Sequence, residues 1–163
     1  MAIAKSKKKD ILDKVTDIAK TAKTAVFVNF HGLTVGDATA LRKQLRDNGI
    51  GYTVAKKTLA RKAFSAQNIS GDMPELPGEL AIAYSEDIIA PAREVYAFEK
   101  KLDGKVSIVG GVFEGKFVGK DQMMVVATIP GRETLYGMFV NVINSPIQRV
   151  VIALDQIAKT KTA

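Results

Sequence analysis

Ile11, Leu12, Val15, Ile18, Ala19 and Ala22 recur at helical spacing, so the pattern predicts an amphipathic helix from about Lys8 to Ala22. Ala25-Val26-Phe27-Val28-Asn29-Phe30 is dense in β-formers and stops at His31-Gly32, which predicts a strand. Thr34 is placed to cap a second helix, with Asp37 near its positive end and an apolar stripe of Ala38, Leu41 and Leu45. Asn48-Gly49 ends that helix in the manner of a glycine C-cap. A short strand over Tyr52-Thr53-Val54-Ala55 follows, and Thr58 opens a third helix reaching about Ala66. Gly71, Pro74, Pro77 and Gly78 make residues 68–79 a loop. Beyond it the pattern gives a strand at Leu80–Tyr84 and a helix from Ile88 to Leu102, with Pro91 in a first-turn position. Val106–Val109 and Val112-Phe113 then run through the turn Glu114-Gly115-Lys116 to Phe117-Val118, a strand entering a hairpin.

This interleaving predicts an α/β fold, with a mixed β-sheet flanked by helices in layers. After Pro130 the character changes. Leu135, Tyr136, Met138, Phe139, Val140, Val142 and Ile143 form one apolar block. Ile147, Val150, Val151, Leu154 and Ile157 form a second, with Asn144-Ser145-Pro146 between them. Such a surface either packs back on the sheet as a last core helix or extends as an α-helix toward a partner. The expected division is an α/β domain over residues 1–130 and a C-terminal helical segment over 131–163.

At 163 residues, with 47% apolar and 25% charged, the chain fits one globular domain and an appendage. The absence of cysteine excludes disulfides, thiolate metal sites and cysteine nucleophiles, and the single His31 excludes a multi-histidine cage. No metal or cofactor is expected. The N-terminus turns charged before an export signal could form. The uncharged stretch Thr134–Gln148 is too short and too polar to span a bilayer, so a soluble cytoplasmic protein is expected, with no membrane partner.

Net charge becomes informative once it is divided along the chain. Residues 1–62 hold 14 Lys and Arg against 5 Asp, a charge of +9, while the remainder is −2. A polyanionic partner for one surface follows, RNA or DNA before membrane. Lys56 and Lys57 precede the third helix, with Arg61 and Lys62 expected in its first turn or so. Cations there oppose the helix macrodipole by about 0.3–1 kcal/mol each, and a bound phosphate reverses that sign. Arg42, Lys43 and Arg46 lie opposite the apolar stripe of the second helix, and Lys5, Lys7, Lys8 and Lys9 lead into the first. Together these make a candidate phosphate-tracking surface. Few aromatics accompany them, and Phe30 and Tyr52 fit strand positions, which favours recognition of a folded RNA shape.

Other chemistry does not assemble. Gly110-Gly111-Val112-Phe113-Glu114-Gly115-Lys116 matches a nucleotide-loop spacing, but Phe117 stands where a magnesium-holding hydroxyl is needed. Its alternation reads as a bulge and a turn. His31 has no evident nucleophile or acid partner, and Glu86-Asp87 suit the start of a helix. No enzyme and no small-molecule substrate are expected.

With these residues in view, the chain resembles the bacterial family of large-subunit ribosomal protein ten, over nearly its whole length. Val26-Phe-Val-Asn-Phe-His-Gly-Leu-Thr-Val35 is similar to the family's strand and Gly-Leu-Thr-Val signature. Leu41–Arg46 and Tyr52–Arg61 resemble its second helix, strand and basic turn, and Gly110–Lys116 and the C-terminal helix agree in order and spacing. The family often has arginine where His31 stands, which leaves the charge at that expected RNA contact open, and asparagine where Lys57 stands. The resemblance implies a non-enzymatic scaffold. Its N-terminal domain would bind large-subunit ribosomal RNA at the GTPase-associated region, beside ribosomal protein eleven. Its C-terminal helix would anchor dimers of the acidic stalk protein seven/twelve, which recruit translation GTPases. Some members also repress their own messenger RNA. The block count gives two dimers, held through Leu135, Phe139 and Ile143 and through Ile147, Val150, Val151, Leu154 and Ile157. The competing reading is a free-standing RNA-binding translational regulator or ribosome-assembly factor, which would not need the apolar C-terminal helix.

Overall fold

The computed structural model describes residues 5–67, 69–102 and 104–162. Strand β1 (Thr24–Phe30) is apolar at consecutive positions because it is buried on both sides. Around it lie α1 (Lys5–Thr21), α2 (Val35–Asp47), β2 (Gly51–Val54), α3 (Lys57–Ser65), β3 (Leu80–Ser85), α4 (Ala90–Lys101), β4 (Val106–Phe113), β5 (Lys116–Gly119) and α5 (Lys120–Ala127). The five strands form one sheet in the order β2-β3-β1-β4-β5.

The layered α/β class is as expected, and the strand directions correct one detail. The sheet was expected to be mixed, yet each strand pair is antiparallel. The reason is interleaving. The crossover β1-α2-β2 leaves a gap one strand wide that β3 fills, and β3-α4-β4 likewise straddles β1. Two split β-α-β units are thereby threaded through each other.

Side-chain alternation along the central strands feeds two cores. Val26, Val28, Ala81 and Ala83 face Leu41 and Leu45 of α2, Val95 and Phe98 of α4, and Met123 of α5. Ala25, Phe27, Leu80 and Ile82 face Val15 of α1 and Ala60, Ala63 and Phe64 of α3. The rings of Phe27 and Phe64 meet edge to face with centroids 5.1 Å apart.

Strand β4 serves both cores through a bulge. Phe27 pairs with Gly110 while Val28 pairs with Ile108, so Val109 is an extra residue. One inserted residue exchanges the faces, which is why Val106 and Ile108 join one core and Val112 the other. Gly111 faces α5, where any side chain would collide with the Ala25 carbonyl and with Met123. Glu114 (φ 48°) and Gly115 (φ 76°) form a two-residue turn joining Phe113 to Lys116. The Gly-Lys match is therefore a hairpin.

Helix α2 starts as expected. The Thr34 hydroxyl accepts from the Asp37 amide at 3.2 Å and donates to the Asp37 carboxylate at 2.8 Å. Helix α3 starts one residue earlier than expected, with Lys56 at its cap position and no side-chain cap bond. Helix α5 was not foreseen. Only Met123 and Ala127 are buried on it, one turn apart, too few to stand out as a period.

The chain divides into two compact units, Met1–Ile129 and Pro130–Ala163. In the second, α6 (Arg132–Thr162) is one helix of 31 residues that passes through Pro146. Asn144-Ser145-Pro146 interrupts the apolar run without ending the helix. The expectation for Thr134–Gln148 must therefore be corrected for the longer element: by length and composition alone, Arg132–Lys161 could cross a membrane. Its large apolar side chains are exposed, from Leu135 at 40% to Tyr136 at 71%.

Both cores of the first unit draw on residues no later than Ala127. A chain ending at Pro130 is expected to keep a cooperative thermal transition and the far-ultraviolet signature of an α/β fold. Loss of cooperativity in that truncation would make α6 part of the core.

Candidate nucleic-acid interface

Strands β1 and β2 end where β3 and β4 begin, since Asn29 pairs with Leu80, Phe30 with Val106 and Val54 with Ala81. Helices α2 and α3 follow β1 and β2 directly, so both N-termini open at this one end of the sheet. First-turn amides of a helix lack internal partners and carry partial positive charge. A surface for anions is thus set up by the backbone before any side chain is counted.

The basic side chains add to it selectively. Lys56 occupies the cap position of α3 and Lys57 its first residue, both exposed, so these two cations act against the macrodipole. Arg42 sits over the ring of Tyr52, with 5.8 Å from guanidinium carbon to ring centroid. Burial pushes the Tyr52 phenol above its usual range, and the Arg42 charge works in the opposite direction. His31 is exposed just past β1, its backbone amide donating to the Lys105 carbonyl at 2.9 Å. Ile11 of α1 reaches the same region, and Lys8, three residues earlier, lies on that face of the helix. Lys9 is exposed beside it. Lys5 and Lys7 are in α1, and their side chains lie outside the described residues.

Other expected contacts lie elsewhere. Arg46 and Lys62 are in the last turns of α2 and α3, where they complement the dipoles, and Arg61 is four residues past Lys57. At 1.5 Å per residue Arg46 is about 17 Å along its helix from Val35. The expected placement of Arg61 and Lys62 in the first turn of α3 is corrected accordingly. Lys43 is exposed on α2. Among the described residues, none of these cations has an ion-pair partner; the pairs formed are Arg93–Glu94 and Lys159–Asp155.

Two clefts open at this end of the sheet. The smaller, about 310 Å³, is bordered by Leu33, Thr34, Arg42 and Tyr52. The larger, about 640 Å³, is bordered by Ile11, Lys56, Lys57 and Thr58. Phe30, Val54 and Glu79 line both. Lys105, Phe30 and Glu79 were missed as site residues. Lys105 and Glu79 sit beside turns in the sequence and reach the site only through strand pairing, which no local pattern signals. Among the described residues no group of acids and His31 is arranged to hold a metal.

The arrangement can grip phosphates. The family described as Ribosomal protein L10 matches residues 3–100. Large ribosomal subunit protein uL10 of Bacillus cereus (strain B4264) is 36% identical over 155 residues, covering 94% of this chain and 93% of the relative. The uL10 protein of Bacillus anthracis (strain CDC 684 / NRRL 3495) matches to the same extent. On that match, which takes in the basic sheet end and most of α6 alike, the chain belongs to the L10 family of ribosomal proteins.

Proposed function

We propose that this protein is the base of the ribosomal stalk: it binds large-subunit ribosomal RNA with its first unit and anchors acidic stalk protein dimers on α6. Membership of the family makes it a structural constituent of the large subunit, in the cytoplasm, and not an enzyme. The observation that carries the anchoring role is the exposed apolar stripe of α6. At 100° per residue, Leu135, Phe139, Ile143, Ile147, Val150, Val151, Leu154 and Ile157 fall within an arc of about 160°. Asn141, Asn144, Gln148 and Asp155 lie on the other side, where Met138, Val142 and Ile152 are interspersed among them. A bilayer asks for apolar contact all round, whereas a helix with one wholly apolar face and another that carries Asn141, Gln148, Arg149 and Asp155 suits a protein partner. A regulator acting through RNA alone has no use for it.

The RNA role is supported by the paired helix N-termini and by Lys56, Lys57, Arg42 and His31 around them. Lys43, Arg46, Arg61, Lys62 and the lysines of α1 extend the positive field to either side. In this reading the neighbour on the RNA is ribosomal protein eleven, and the recruited factors are translation GTPases. The same surface would serve to repress the protein's own messenger. Changing Lys56 and Lys57 together to Ala is expected to weaken binding to a large-subunit ribosomal RNA transcript. It should also lower the salt slope of log K by up to about one unit per lost phosphate contact. A salt titration that leaves the slope unchanged refutes phosphate contacts at the start of α3.

A further inference from the structure

Glu79 is out of place on a surface built only for phosphates. Among the described residues lining the two clefts it is the one acid, set between Arg42 on one side and Lys56 and Lys57 on the other. It neutralises none of them, and it has no hydrogen-bond or ion-pair partner among the described residues. Its position is fixed by the turn before it. Gly78 has φ 67°, and a side chain there would meet the Asn29 amide group at 2.7 Å. The larger cleft is also apolar where a phosphate surface would not be, with Phe30 half-buried in its wall and Val54 46% exposed. Its volume of about 640 Å³ falls in the range of about 300–1,000 Å³ that encloses small organic ligands.

We infer that the larger cleft receives one unpaired nucleobase of the bound RNA, and that Glu79 reads it by accepting a hydrogen bond from its amino group. The inference rests on the RNA-binding reading above and adds base selection to it. The flat apolar faces of the base lie against Phe30 and Val54, while the adjoining phosphate meets Lys56, Lys57 and the first amides of α3. A carboxylate accepts from the amino group of adenine, cytosine or guanine and finds no such group on uracil.

The sign of one substitution tests this. On a surface that works by charge alone, removing an acid tightens RNA binding. If Glu79 reads a base, Glu79→Ala weakens binding to a large-subunit ribosomal RNA transcript by on the order of tenfold, with the salt slope unchanged. In the same complex one unpaired A, C or G should gain reactivity toward dimethyl sulfate or kethoxal. Tighter or equal binding with no nucleotide unmasked overturns the inference, while the Lys56→Ala, Lys57→Ala chain still loses affinity and slope. Should that double variant also bind unchanged, the RNA reading of this sheet end falls first and the inference with it.

Discussion

Replacing Leu154 with Asp is expected to release one of two acidic partner dimers and leave the other bound. Leu135–Ile143 and Ile147–Ile157 each cover about 12–15 Å of helix, enough for one compact helical dimer and too short for two. Three or four large side chains buried at about 1.5–3 kcal/mol each hold a dimer without help from charge. An Asp facing an apolar partner must shed its water with nothing in exchange, which undoes that gain locally. Leu154 is 62% exposed, so the helix itself loses little packing. Native mass spectrometry of the complex should therefore fall from two dimers to one, and Phe139→Asp should release the other dimer instead. One or three dimers on the unaltered chain would overturn the count.

Phe27→Ala is expected to cost about 3–5 kcal/mol of folding stability. Phe27 is fully buried in the central strand, and its ring meets Phe64, so truncation opens a cavity between the sheet and the α1–α3 layer. Against a total of about 5–15 kcal/mol for a domain, this is a third or more. Urea unfolding followed by circular dichroism should show a much lower midpoint at a similar slope. A change under about 1 kcal/mol would mean that the layer of α1 and α3 does not rest on this ring.

Most elements were legible because their signals are local. The Thr34 cap, the stop at Gly49, the Glu114-Gly115 turn and the unbroken apolar run of β1 each reflect chemistry within a few residues. What escaped notice depends on distant partners. Strand direction was not legible, since β3 enters between β1 and β2 from beyond a long loop. The exchange of faces at Val109 was hidden too, because a bulge exists only relative to the strand beside it. The candidate site divides in the same way. Lys56 and Lys57 stood out because they contradict a local rule, whereas Glu79 and Lys105 break none and become site residues only when the sheet closes. Arg61 and Lys62 were grouped with the pair by nearness in sequence, which nine residues of helix undo.

The interleaved sheet also sets an order of events during synthesis. The chain's excess positive charge, all within residues 1–62, leaves the exit tunnel before β3 and β4 do. β1 is then present, but its neighbours begin only at Leu80 and Val106, so the strand has no partner for much of translation. Pairings this far apart in sequence close slowly. Until β4 emerges, the nascent chain is a polycation without a shaped end to its sheet, able to cling to any RNA nearby. Closure of the central strand therefore completes the basic end of the sheet late, only after β4 has been made.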